Sequence, residues 1–256
     1  MKIPENILNI LANCEIDCRT VRLPAQLDRE TYLAVNKCLG NLGGAWDRKA
    51  KGHVFDYDPA DAFDSLLLTG ETRDMKKDFQ YFPTPRKLAE EVVAMAALGD
   101  ACRVLEPSCG NGALADVIWE AGDSGIERLL GIELNADMGR YLADKPYQVM
   151  LGVDFLEYCR DSSAERDWTH IIMNPPFSRQ QDIDHVLAAY SILAPGGTLV
   201  AILSPSPFFR DNRKSREFRG WLNEVVADIV DVAPGAFKES GTNIAAKIIK
   251  VVKPTA

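Results

Sequence analysis

His170-Ile171-Ile172-Met173-Asn174-Pro175-Pro176-Phe177 is the stretch that decides the reading of this chain. An apolar run of strand length ends in an amide side chain, two prolines and an aromatic ring. Consecutive prolines remove two backbone N–H donors and restrict the chain, so the carbonyls of Asn174 and Pro175 stand without competing donors beside them. An amino group directed at the Asn174 side-chain oxygen and the Pro175 carbonyl would donate both hydrogens. Its lone pair, otherwise delocalised into an aromatic ring, would then be free to attack an electrophile. Phe177 is placed to stack on that ring. Such chemistry needs positioning and hydrogen bonds rather than a strong nucleophile or a metal.

Outward from this stretch, short apolar runs alternate with helical spacing, the pattern of a parallel sheet wrapped by helices. Strands are predicted at 102–106, 128–133, 147–151, 169–173 and 198–203, with two more, 226–232 and 246–252, around a Pro234-Gly235 turn. Helical spacing occupies 114–121, 135–143 and 183–193, and Pro83 to Leu98 reads as a loop entering an amphipathic helix beside the first strand. The fold class is therefore α/β, a Rossmann-like seven-stranded sheet with helices on both faces. A smaller α+β appendage precedes it, with a helix over 30–42, a Gly43-Gly44 break, a hairpin within 46–57 and a helix over 59–68. Residues 71–78 read as a linker, so the expected domains are 1–75 and 76–256.

Two strand tips carry a second signal. The run ending in Glu106 enters Pro107-Ser108-Cys109-Gly110-Asn111-Gly112, whose glycines allow close approach of the backbone to a ligand. The next ends in Glu133-Leu134, a carboxylate about 20 residues further on, where Rossmann-like folds hold ribose hydroxyls. Asp154-Phe155 follows the third strand. Its two readings are an adenine contact and a helix-capping Asp with a core Phe.

Charge sets limits on partners. The 256 residues carry a net charge of −8. Five cations (Arg210, Arg213, Lys214, Arg216, Arg219) face two carboxylates between Pro205 and Gly220, and Arg48, Lys49 and Lys51 face Asp47 between Trp46 and His53. Two basic islands on an acidic body permit a polyanion to bind in one orientation. Six scattered cysteines and three histidines suggest neither disulfides nor a metal site. The N-terminus lacks a signal-peptide run and no segment has the length of apolar sequence a membrane span needs, so a cytoplasmic protein is expected.

Taken together, the motifs resemble those of class I S-adenosylmethionine (AdoMet) dependent methyltransferases, and within them the adenine-N6 DNA methyltransferases whose cofactor motifs precede the catalytic one. The resemblance runs from Phe82 to Val252. It implies AdoMet as cofactor, held by Phe82, Thr84 and Pro85 of an aromatic-x-Thr-Pro motif, by Glu106, Pro107, Cys109, Gly110 and Gly112, by Glu133 and Leu134, and by Asp154, Phe155 and Asn174. It implies that Asn174, Pro175, Pro176 and Phe177 are catalytic, and that residues 237–243 form a loop helping to hold a flipped base. The implied partner is double-stranded DNA with its adenine extruded, and solitary and restriction-modification roles both fit. The chain departs from many such enzymes in lacking a long recognition region after Val252. That task falls to 178–184, to an insert at 204–222 bearing Phe208, Phe209, Arg210, Arg213, Lys214, Arg216 and Arg219, and to the appendage with Arg48, Lys49, Lys51 and His53. RNA amino-methylation and protein glutamine N5-methylation use the same donor geometry. Cytosine-C5 methylation would need a cysteine at the catalytic tip. Monomer and homodimer both remain compatible with the sequence.

Overall fold

The computed structural model describes residues 2–70, 83–122, 125–233, 235–237 and 246–255. The chain divides into two compact units, 1–81 and 82–256. The expected linker at 71–78 lies outside the described residues.

In the first unit, helices α1 (Glu5–Ala12), α2 (Arg29–Asn41) and α3 (Ala60–Thr69) accompany a small antiparallel sheet of β1 (Glu15–Asp17), β2 (Thr20–Arg22), β3 (Ala45–Asp47) and β4 (Gly52–Val54) in the order β1-β2-β4-β3. Asp28 starts α2 by accepting from the N–H groups of Glu30 and Thr31 at 3.0 and 3.1 Å. Ile7, Leu11, Val21, Val35, Leu39, Phe55 and Phe63 are buried in this unit. The sequence anticipated α2, α3 and the β3–β4 hairpin but not α1 or the β1–β2 hairpin.

Among its described residues the second unit holds seven strands: β5 (Cys102–Glu106), β6 (Ile126–Glu133), β7 (Gln148–Leu151), β8 (Trp168–Met173), β9 (Leu193–Leu203), β10 (Asp228–Asp231) and β11 (Lys247–Val252). Their order is β10-β11-β9-β8-β5-β6-β7, with β11 antiparallel to both neighbours and the remaining pairs parallel. This is the expected seven-stranded α/β fold. Its order matters for function. The chain moves outward from β5 through β6 to β7, then returns to β8 on the other side of β5. Such a reversal leaves a crevice at the carboxyl ends of the two central strands, where open α/β sheets take their ligands.

Helices α4 (Arg86–Ala96), α5 (Ala113–Ala121), α6 (Gly139–Leu142), α7 (Phe155–Arg160), α8 (Gln181–Ile192), α9 (Ser206–Phe209) and α10 (Arg213–Glu224) connect the strands. Three differences from expectation have local causes. Helix α4 packs on β8, β9 and β11 and against α5, where Arg86 reaches Glu120. The predicted helix over 135–143 is a 3₁₀ turn at Ala136–Met138, capped by the Asn135 side chain, followed by the short α6. Segment 204–222 is the helical crossover from β9 to β10, with Phe218 and Leu222 of α10 buried in the sheet's core and Arg213 and Arg216 exposed.

Trp168 shows what fixes the central strands. Its ring is wholly buried, its indole N–H donates to the Glu165 carbonyl at 3.1 Å, and the guanidinium groups of Arg103 and Arg128 lie 5.6 and 5.7 Å from the ring centroid. Glu165 accepts from both arginines. Trp168→Ala should cost about 3–5 kcal/mol of stability, the range for deleting a large core aromatic. Urea unfolding checks this, and a loss under about 1 kcal/mol would mean the strand pair is held by other contacts.

Candidate active site

The crevice is lined from β5, β6 and β8. Leu105 of β5 is paired with Ile171 of β8, so the turn after Glu106 and the Asn174 tetrapeptide leave neighbouring strands at the same edge of the sheet. Adjacent strands lie about 4.8 Å apart. The two motifs on which the sequence reading rests therefore open onto one cleft.

The glycine turn is built tightly. Cys109 is buried, its N–H donating to the Ile132 carbonyl at 3.0 Å, and a Cβ at Gly131 would come within 2.8 Å of its sulfur. Gly131 thus lets the turn close over β6. Gly112 has φ +86°, and a Cβ there would fall 2.4 Å from the Tyr147 hydroxyl. That hydroxyl donates to Asp116 at 2.7 Å, and Lys145 pairs with the same carboxylate at 2.6 Å, bracing the turn from behind. Glu133 ties the two strand tips together. Its Oε2 accepts from the Gly110 N–H and its Oε1 from the Asn135 N–H, both at 2.7 Å. Burial pushes its carboxyl above the ordinary range, against the opposing pull of those N–H groups. Leu134 beside it is 55% exposed, an apolar surface left open at the cleft's edge.

Glu106 is fully buried, and its Oε2 has no hydrogen-bond partner. Burial raises its carboxyl well above the usual range, the Cys109 thiol pulls in the opposite direction, and the nearby Glu133 charge adds to the rise. An unsatisfied buried acceptor at the mouth of a glycine turn, with a second acid across from it and an open leucine, fits a cofactor offering hydroxyl and amino donors. Cys109 is no nucleophile, since burial holds its thiol well above the ordinary value.

At β8's end, the Asn174 Nδ2 donates to the Thr84 hydroxyl oxygen at 3.1 Å. Thr84 and Pro85 are buried, and through Thr84 the Thr-Pro segment meets the Asn174 tetrapeptide directly. With the amide nitrogen engaged, Oδ1 remains as an acceptor. Pro175 is buried, while Pro176 and Phe177 are half-buried. Phe82 and residues 238–243 lie outside the described residues, and Phe237 is buried. Beyond Phe177 the chain turns through Arg179 and Gln180 in the left-handed region, φ 53° and 60°. Each such non-glycine residue costs about 1–2 kcal/mol. Residue type does not announce this turn, because neither residue is Gly, Asn or Asp.

Several of the expected residues have partners within the fold. Asp154 caps α7, its Oδ1 accepting from the Leu156 and Glu157 N–H groups at 2.7 and 3.2 Å. Phe155 is buried against Tyr158 and His185 in the sheet's core, so its ring offers no face to an adenine. Phe208 packs against the same core with the Lys247 ammonium 5.3 Å from its ring centroid, whereas its neighbour Phe209 is 71% exposed. His53 is wholly buried and bonds Asn36 at 2.8 Å, which removes it from any contact surface. Trp46 is half exposed at the hairpin whose turn carries Arg48, Lys49 and Lys51, all exposed.

The cations of α10 are largely engaged. Lys214 bonds Asp184 and the Gln180 carbonyl, Arg213 pairs with Glu217, Arg216 with Asp211, and Arg219 donates to the Pro207 and Arg210 carbonyls. Arg210 is exposed without an ion pair among the described residues. Among the described residues no cluster of His, Cys, Asp and Glu could hold a metal, and no helix is long and apolar enough to cross a membrane.

Comparison with known proteins agrees with this frame. The type I restriction-modification system methyltransferase subunit from Streptococcus thermophilus superposes with a TM-score of 0.58 at 20% identity, over 89% of this chain and 54% of that one. The likeness is one of fold, a Rossmann-like seven-stranded sheet with helices around it. A SAM-dependent O-methyltransferase from Thermotoga maritima overlaps less well, with a TM-score of 0.47, 14% identity and coverage of 72% and 71%. By sequence, the ribosomal RNA small subunit methyltransferase A of Picosynechococcus sp. is 28% identical over 115 residues, 41% of each chain. This chain thus spans less than half the length of that relative. No family model matches.

The buried Glu106 has a consequence for stability. The folded chain keeps a proton that the unfolded chain releases near pH 4.3. Its contribution is therefore constant below that pH and is lost as pH rises toward the raised folded value. Glu106→Gln, which mimics the neutral acid, should remove that slope. Urea midpoints from pH 4 to 8 should fall for the wild type relative to the variant, and parallel curves would show that Glu106 is ionised in the fold.

Proposed function

We propose that this chain transfers a methyl group from AdoMet to the exocyclic N6 amino nitrogen of adenine in DNA. The observation that carries the proposal is the Asn174–Thr84 hydrogen bond beside the glycine turn. It leaves the Asn174 Oδ1 and the Pro175 carbonyl as a pair of acceptors at the crevice. An amino group donating one hydrogen to each has its lone pair turned out of the ring plane, while Phe177 supports the ring by stacking. AdoMet supplies a methyl group on a sulfonium. The S–CH₃ bond breaks as the N–CH₃ bond forms, one amine proton leaves for solvent, and S-adenosylhomocysteine remains. Glu133 and Glu106 would hold the cofactor's hydroxyl and amino donors, and Leu134 would cover its adenine.

Duplex DNA as substrate requires extrusion of the base, since the amine is out of reach within the stack. The exposed surfaces that suit a polyanion are Phe209 with Arg210, Arg213 and Arg216, and the Arg48, Lys49 and Lys51 turn with Trp46. RNA is the second reading, favoured by the partial sequence match to a ribosomal RNA methyltransferase. Protein glutamine has the same donor geometry but gives those aromatic and basic surfaces no role.

Tritium transfer from labelled AdoMet to unmethylated DNA, total RNA and release factor separates the three. Label in DNA, recovered as N6-methyladenine, is the expected result. Asn174→Ala should reduce turnover by at least about 100-fold, the scale for losing a preorganised hydrogen-bonding group, with AdoMet affinity little changed in calorimetry. Loss of cofactor binding in that variant would show that Asn174 serves the cofactor instead.

A further inference from the structure

The turn that follows the tetrapeptide is held by a dedicated set of contacts. Arg179 and Gln180 both adopt left-handed backbone, which ordinary side chains disfavour and which persists where the surroundings enforce it. Gln180 supplies the enforcement. Its side chain is 6% exposed, its Oε1 accepts from Asn212 Nδ2 at 2.9 Å, and its Nε2 donates to the Ser215 hydroxyl oxygen at 2.6 Å. Its backbone carbonyl accepts from Lys214 Nζ at 2.8 Å. Three residues from the start of α10 therefore grip one residue of the turn. Ser215 is itself wholly buried, and its N–H is capped by Asn212 at 2.8 Å, so the grip has a fixed base.

The turn so held presents Arg179. This side chain is exposed, makes no ion pair among the described residues, and stands two positions beyond Phe177. Nearby charges are spent elsewhere. Lys214 neutralises Asp184, and Asp182 is buried with both Ser204 donors on its carboxylate. An unpaired guanidinium at the rim of the ring-stacking position suits a phosphate, which it binds through two parallel N–H groups.

We propose that Arg179 takes the backbone phosphate adjoining the base seated on Phe177, and that Gln180 is the positioning residue that holds it there. This rests on the nucleic-acid reading of the site. It adds a residue that the basic islands of the sequence did not include, and it assigns α10 a role inside the catalytic loop as well as on the surface.

The test uses the full chain and a labelled duplex, because the salt dependence of binding reports phosphate contacts without knowledge of the recognition sequence. Arg179→Gln should lower the slope of log affinity against log salt by about 1 and raise KM for DNA, with AdoMet affinity unchanged. Arg179→Lys should restore most of the slope, since an ammonium still serves as a point charge. Gln180→Gly relieves the backbone cost while removing the grip, so it should fold and yet lose the same slope with Arg179 intact. An unaltered slope in Arg179→Gln overturns the phosphate contact, and an unaltered slope in Gln180→Gly overturns the positioning role. A wild-type chain that methylates release factor but binds no nucleic acid would instead remove the substrate reading, and this inference with it.

Discussion

Strands β5 and β8 lie side by side although Arg103 and Thr169, which bond across them, are 66 residues apart. Everything at the candidate site follows from that adjacency. Two strands formed early and late in the chain deliver their carboxyl ends to one edge, because the sheet reverses its direction of growth between them. One end carries a glycine turn with a buried acid, the other an amide followed by two prolines. Neither loop makes a transfer site alone.

Support for this edge comes from behind and from both sides. Tyr147, Asp116 and Lys145 brace the glycine turn, Glu133 fastens it to β6, and Thr84 fixes the Asn174 amide from the segment before α4. On the far side, α10 grips Gln180. The rim is thus preorganised by hydrogen bonds and close packing, some of them made by groups that are themselves ion-paired, such as Lys145 with Asp116 and Lys214 with Asp184. That arrangement suits a reaction in which the protein contributes orientation and a lone pair in the right direction.

The sheet was legible because buried parallel strands read as continuous apolar runs, as in Ile171 to Met173 and Thr198 to Leu203. The strand tips were legible for a related reason, since Glu106, Glu133 and Asn174 interrupt apolar runs where a strand must stop. Helix α10 was hidden because its cations outnumber the apolar Phe218, Trp221 and Leu222 that bury one face. Its charges were therefore taken for an open surface, although Lys214 and Arg219 turn back to the chain. Whether Phe155 meets a ligand or the core, and whether His53 is exposed, depends on partners elsewhere in the chain, His185 for one and Asn36 for the other. The left-handed pair at Arg179 and Gln180 left no mark, since tertiary contacts rather than residue type impose it.

The central claim is that three loops from β5, β6 and β8 close around one AdoMet. Hydrogen exchange on the full chain, with and without AdoMet, measures it directly. The account predicts slowed exchange confined to the amides of residues 109–113, 133–135 and 177–180, with all three stretches responding at the same cofactor concentration. Slowed exchange in the first unit alone, or at the glycine turn without the residues that follow Asn174, would contradict it.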